Sequence, residues 1–241
     1  MVDNILMNSF SFGIHAYTQG GNINNLYIEG NTSVNHGVIA GEAKANILIG
    51  GGTVAQNPTL LNNYSYYSPA VGGRAADLNY GSGCNGPTIN NNYLIGSGSL
   101  WLKCTNILAL TGNTFYGSII GFSSTQYPSN TYQLTRPSGI KVFVRPNKYE
   151  QGRANVTIYN WDGANTINVN LSTTGLLSGQ NYEIRDAQNY FGAPVAQGTY
   201  NPTSPTVALP MAGLTAATPI GMAAQAHTSS EFGAFVVLPR R

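Results

Sequence analysis

The phrase Asn4-Ile5-Leu6-Met7 returns as Asn25-Leu26-Tyr27-Ile28 and again as Asn46-Ile47-Leu48-Ile49, at steps of 21 residues. A fixed period in the twenties is the mark of a solenoid, in which each repeat buries its apolar side only against its neighbours. The repeated run is short and strand-like, so the spacing predicts a parallel β-helix with one coil per repeat. Asn4, Asn25 and Asn46 then share one column. Ile5, Leu26 and Ile47 share the next, with Leu26 and Ile47 side by side on adjoining coils. Met7, Ile28 and Ile49 form a second inward column two residues on, as strand alternation requires. Ile89 to Leu94 and Leu110 to Phe115 repeat the same shift, which stacks Asn92 on Asn113. Stacked asparagines have a physical purpose: each side-chain amide donates to one neighbour and accepts from the other.

Composition agrees with a β architecture built on uncharged polar turns. Only 8 % of residues are charged, against about 25 % in an average domain, while 28 are asparagine. With 42 % hydrophobic residues the chain is not of the disordered class. The net charge is +2 and no cationic cluster exists beyond Arg240-Arg241, which sets nucleic-acid binding aside. No apolar run reaches the length of a membrane span. No segment near Met1 reads as a signal peptide. Val2 to Phe10 nevertheless reads as the interior of a coil with nothing to cap it. The expectation is therefore an N-terminally truncated chain whose parent is extracellular or periplasmic, with self-association through the uncapped end.

Register and composition divide the chain into a partial parallel β-helix, 1–135, and an antiparallel β-sandwich, 138–241. Between Pro69 and Pro87 the spacing loosens and predicts an enlarged loop. After Tyr132 short alternating segments follow at Ile140–Arg145, Ala154–Trp161, Thr166–Leu171, Asn181–Ala187, Val195–Tyr200, Thr206–Leu209 and Phe232–Leu238. About seven strands broken by turn signals suggest a sandwich. No segment reads as a helix, and 212–230 reads as a long connection.

Gly13-Ile14-His15-Ala16-Tyr17, Asn25 to Asn31 and Gly112-Asn113-Thr114-Phe115-Tyr116-Gly117 resemble the bacterial right-handed parallel β-helix repeat proteins of the pectate-lyase-like superfamily. Val142 to Asn147, Tyr159 to Asp162 and Tyr182 to Ala187 resemble the sandwich that often follows such helices. The resemblance covers nearly the whole chain and implies an exported protein that acts on or binds polysaccharide.

Catalytic constellations of that class need paired carboxylates, or calcium-holding carboxylates with a basic residue. At a 21-residue shift no acid falls on another acid. His15 and His36 are 21 apart and so are expected to stack, as the weak catalytic candidates or as turn histidines bonded to backbone. Tyr64, Tyr66, Tyr67 and Tyr80, with Trp101, are candidates for stacking on sugar rings or else for the core. Cys84 and Cys104 lie about one coil apart, close enough for a disulfide between coils or for two buried thiols. No metal site, cofactor, nucleotide loop or nucleophile motif is read from the chain. The expected function is binding of an extended polysaccharide. A fragment of a polysaccharide lyase or glycoside hydrolase, and a structural or adhesive surface module, stand as alternatives.

Overall fold

The computed structural model describes residues 1–68 and 70–240. The protein is all-β, with two three-residue 3-10 turns among the described residues. It divides into two compact units, Met1–Pro137 and Ser138–Arg241.

The first unit is a curled parallel sheet in which four ladders recur in the same order. The first ladder stacks Tyr27–Glu29, Thr59–Leu61, Thr88–Asn90 and Ala109–Thr111. The second stacks Ile5–Met7, Thr32–Val34, Tyr64–Tyr66, the start of Tyr93–Leu102, the start of Thr114–Ile120, and Thr131–Gln133. The third stacks Ile14–Thr18, Ala45–Gly51, Arg74–Gly81 and the ends of those same two long strands. The fourth is short: Ala55–Gln56, Cys84–Asn85 and Cys104–Thr105. Side chains alternate along every strand. Ile28, Leu60, Ile89 and Leu110 point inward from the first ladder, Leu94 and Phe115 from the second, and Ile47, Ile49, Ala76, Leu78 and Leu100 from the third.

Between the first and second ladders runs a column of six asparagines, Asn4, Asn31, Asn63, Asn92, Asn113 and Asn130. Each of the first five donates both its backbone N–H and its Nδ2 to the Oδ1 of the next, at 2.8–3.1 Å. The remaining amide hydrogens go to strand carbonyls, such as Asn63 Nδ2 to Ile28 O at 3.0 Å. The residue before each of the first five asparagines is left-handed: Asp3, Gly30, Asn62, Asn91 and Gly112 all have φ between 53° and 67°. That conformation reverses the chain and admits only Gly, Asn or Asp at low cost.

The fixed 21-residue register is not found. Successive ladder asparagines are separated by 27, 32, 29, 21 and 17 residues. Only the expected stacking of Asn92 on Asn113 keeps the step of 21. Asn4 belongs to the column, but Asn25 is a left-handed corner residue before the first ladder. Asn46 lies inside strand Ala45–Gly51, where its Nδ2 bonds Ser33 O, Ser65 Oγ and Tyr66 O. Leu26 and Ile47 are not neighbours: Ile47 pairs with Ile14 and Ala76, and the Leu26 carbonyl accepts from Thr59. The variable length sits at the corner between the second and third ladders, widest at 35–44. The enlarged loop expected over 69–87 is instead mostly the strands Arg74–Gly81 and Cys84–Asn85; its first residue, Pro69, lies outside the described residues. The glycines that suggest a loop there, Gly72, Gly73 and Gly81, have positive φ but bracket a strand.

Cys84 and Cys104 are direct partners in the fourth ladder and form a disulfide, with Cα atoms 4.4 Å apart.

In the second unit all seven expected strand segments are strands. Ile140–Pro146, Ala154–Asn160, Phe232–Pro239, Asn181–Asp186 and Ala196–Thr199 form a five-stranded antiparallel sheet in that order. Thr166–Asn170 pairs antiparallel with Thr206–Pro210. Both sheets contribute to one apolar cluster, including Val156, Ile158, Ile184, Phe235 and Val237 from the larger and Ile167, Val169 and Leu209 from the smaller. The connection 212–230 has no strand or helix and is tied down by side chains. Ser229 N–H donates to His227 Nδ1, so the ring proton is on Nε2, which donates to the buried Asp186 Oδ2 at 3.0 Å.

An asparagine of the column is buried, so truncating it strands its neighbours. Asn63→Ala leaves the Asn31 N–H and one Asn31 Nδ2 bond without the Asn63 Oδ1 acceptor and Ile28 O without the Asn63 amide, while Asn92 Oδ1 keeps only the bond from the backbone N–H of residue 63. Each orphaned buried group costs about 1–3 kcal/mol. Urea unfolding is expected to show a loss of about 3 kcal/mol or more, against about 0.5 kcal/mol or less for Asn22→Ala at an exposed position. Reducing the Cys84–Cys104 bridge, which closes a segment of sequence separation 20, is expected to lower stability by about 3 kcal/mol in the same assay.

Candidate functional site

The third ladder presents an outward face that gathers three of the sequence candidates. On strand Ile14–Thr18, Ile14 and Ala16 turn to the core while His15 and Tyr17 turn outward. Phe12, just before the strand, meets His15 at 4.3 Å between ring centroids. His15 meets Tyr17 at 5.4 Å, and Tyr17 meets Tyr80 edge-on at 5.8 Å. Tyr17 and Tyr80 are two strands apart, paired to Gly50 from opposite sides. They touch because Gly50 has no side chain; a Cβ there would lie 2.3 Å from Tyr80 O. Tyr17 and Tyr80 are 40 % and 47 % exposed, so this row of four rings is open to solvent.

Farther along the face, Trp101 pairs with Asp77. Arg74 Cζ stands 4.9 Å over the Trp101 ring, and Arg74 Nη1 is 2.5 Å from Asp77 Oδ2. Asp77 is 1 % exposed, and its other oxygen accepts from Asn79 N at 2.9 Å. Its carboxylate is thus committed on both sides. Trp101 Nε1 reaches Ser118 Oγ at 3.3 Å, and Lys103 Nζ donates to Gly81 O at 2.8 Å. Among the described residues, no three His, Cys, Asp or Glu side chains come together as a metal site.

His15, Tyr80 and Trp101 therefore share one face. His36 does not join them, and the expected pair of stacked histidines is absent: His15 lies beside Leu48. The reason is the length of the first circuits, which run past 21 residues and carry His36 to a different corner. There it is 1 % exposed. Its Nδ1 accepts the Ser9 N–H at 3.1 Å, so Nε2 carries the proton and faces Ser33 Oγ at 3.1 Å. Ser33 Oγ in turn donates to Asn46 O. Burial pushes the His36 pKa from its ordinary 6.5 to about 4, a shift only partly offset by the Leu6 carbonyl. His36 is a neutral, fully bonded part of the frame.

The tyrosines expected as an exposed group are not one. Tyr66 and Tyr67 are buried, and Tyr64 is half-buried in the second ladder. The Tyr67 hydroxyl bonds the His36 and Lys44 carbonyls, and burial raises its pKa. Tyr67 also walls a cavity of about 180 Å³ with Ile95, Gly96, Ser97, Tyr116 and Gly117. Sequence reasoning missed Phe12, Tyr17, Arg74 and Asp77 as members of the face. Alternation along Ile14–Thr18 marks His15 and Tyr17 as one outward pair, and the run Gly50-Gly51-Gly52 marks the space that lets rings close over the backbone.

Comparison with protein-family models, curated proteins and solved structures finds no match.

The His36 environment sets a pH dependence. The folded-state pKa lies below the unfolded one, so the unfolded chain binds the extra proton between about pH 6.5 and 4. The stabilisation is complete above pH 6.5 and is lost as pH falls towards 4, by about 3 kcal/mol in all. Urea unfolding at pH 7 and pH 4.5 is expected to show that loss, and His36→Gln to flatten it. The assigned His36 ring signal in NMR is expected to stay that of the neutral form at pH 5.

Proposed function

We propose that this chain is a parallel β-helix followed by an antiparallel β-sandwich, and that it binds an extended polysaccharide along the outer face of the third ladder. The helix reading is supported by four parallel ladders that recur in the same order, tied by one asparagine per pass. It does not rest on a constant period. The binding reading rests on one observation, the solvent-open row Phe12–His15–Tyr17–Tyr80. Flat, partly apolar rings match the C–H faces of pyranoses, and they are held rigid here by a β ladder instead of a loop, which lowers the ordering cost of binding. Arg74 and Asp77 fix the Trp101 ring at the far side of the same face. Asp77, the one carboxylate among these residues, is spent on that ion pair, so the face is read as a platform and not as an acid–base centre. The disulfide fits an exported protein, since such bridges persist in oxidising compartments.

A glycan array followed by titration calorimetry on the strongest polysaccharide tests the proposal. Tyr17→Ala and Tyr80→Ala are each expected to weaken binding by about tenfold, with the unfolding midpoint nearly unchanged. Tyr149→Ala, which removes a still more exposed ring from the second unit, is expected to leave affinity as it is. Equal binding by all three variants, or no bound glycan, removes the reading.

A further inference from the structure

From Ala187 to Ser230, inside the second unit, the chain carries no Asp, Glu, Lys or Arg. Two tips in that stretch hold apolar side chains out into solvent. At the first, Phe191 is 94 % exposed and meets the Tyr190 ring edge-on at 5.3 Å. At the second, Pro219-Ile220-Gly221-Met222, Ile220 is wholly exposed and Met222 is exposed beside it. Both tips are anchored. Arg185 Nη1 donates to Tyr190 O at 3.0 Å and to Gly192 O at 2.9 Å, so one guanidinium grips the chain on both sides of Phe191. Arg185 is itself held by Glu183. The second tip belongs to a loop closed on the turn Ala187–Asn189. At its start the Ala217 N–H donates to Gln188 O at 2.8 Å. At its end Gln188 Nε2 donates to Thr228 Oγ1 at 2.8 Å, and His227 reaches Asp186. Surface loops whose two ends meet in this way are frequently functional. Phe191 and Ile220 each lie three residues from the Ala217–Gln188 bond, which puts both within about 11 Å of it. Exposure alone does not mark these residues. Tyr149 and Leu134 are as open, but Tyr149 stands between Lys148 and Glu150, and Leu134 is two residues from Arg136.

We propose that the Tyr190–Phe191 and Ile220–Met222 tips are a docking surface for a lipid bilayer, which they enter at the boundary between headgroups and acyl chains. Three features select that partner. A charge carried into a bilayer is costly, and the stretch that bears both tips has none. Aromatic and long aliphatic side chains are the ones that bury at the headgroup boundary. The tips project, and a fluid apolar phase receives a projecting side chain wherever it stands. A folded partner would need a matching pocket for each tip, and its interface would be bordered by a polar rim. The anchored stems lower the ordering cost of entry, since the tips are already held out. Because no charge takes part, the attraction is apolar and does not depend on anionic lipid or on salt. This surface is independent of whatever the aromatic face of the first unit binds.

The test is cosedimentation of the whole protein with phosphatidylcholine vesicles at low and at high salt. The protein is expected to partition onto the vesicles equally at both. Phe191→Asp and Ile220→Asp are each expected to weaken partitioning by about tenfold or more, the worth of one large apolar side chain. Tyr149→Asp is expected to leave it as it is, and the unfolding midpoint is expected to be nearly the same in all three variants. Four results would overturn the proposal. The first is no partitioning onto phosphatidylcholine. The second is equal loss in Tyr149→Asp, which would make the adsorption unspecific. The third is binding that needs anionic lipid and falls with salt, which would make it electrostatic. The fourth is a concentration-dependent dimer that Phe191→Asp abolishes, which would make a second copy of this chain the occupant.

Discussion

A parallel sheet that curls on itself must turn its backbone at every corner, and each turn brings polar groups to the edge of an apolar interior. Water cannot reach them, and the carbonyls and N–H groups of a turn do not pair with one another. The side-chain amide of asparagine resolves this at the first corner of each pass. It offers an oxygen that takes two bonds from one side and hydrogens that reach the other side and a strand carbonyl. One uncompensated group of this kind costs about 1–3 kcal/mol, as much as the burial of one leucine contributes. The aliphatic columns of the core are therefore stable only where the amide column is continuous. Asn31, Asn63, Asn92 and Asn113 are accordingly as deeply buried as the isoleucines they accompany.

The column also explains how passes of unequal length remain stacked. Strand, left-handed residue, asparagine and strand form an invariant block, present at 27–34, 59–66, 88–95 and 109–116. Within a block nothing can be inserted without breaking the amide link. Outside it the chain is free, and the corner before the third ladder takes up the difference, from the long excursion over 35–44 to the tight Gly117 turn. The local rule is strict and the period is loose, because the energy lies in the block and not in the distance between blocks.

This is also why the fold was legible in outline and not in register. Asparagine serves two turns for two different reasons. In the column it supplies an amide. At the corner before the first ladder, Asn25, Asn57 and Asn106 supply a left-handed backbone, with φ of 49–54°, and Gly86 replaces them in one pass. Asn46 is a third case, bonded inside a strand. A period search that treats all asparagines alike matches Asn4 to Asn25 and Asn46 and finds 21. The true signal was the pair formed by Gly or Asn followed by Asn, visible as Gly30-Asn31, Asn62-Asn63, Asn91-Asn92 and Gly112-Asn113. The antiparallel strands of the second unit were read in place because each carries its own alternation and its own turn residues, with no long-range register to guess.

The site was less legible because exposure is not a property of residue type. Tyr66 and Tyr80 have the same chemistry, yet one is wholly buried and the other half open. The two histidines make the same point. His36, closed in by Ser9 and Ser33, has every ring nitrogen engaged, and its proton is fixed by a backbone N–H that can only donate. His15 lies in an open row of rings between Phe12 and Tyr17. What separates them is the ladder position each occupies, and that depends on the register of the first two passes. Once the register is set by the asparagine column, the aromatic row follows from alternation alone: His15 and Tyr17 turn outward together, Gly50 leaves the gap between strands, and Tyr80 closes it from the other side. A misassigned period thus costs little in recognising an all-β chain with a parallel sheet and nearly everything in locating the face, since one shifted pass exchanges every neighbour across the ladder while leaving each strand's own pattern untouched.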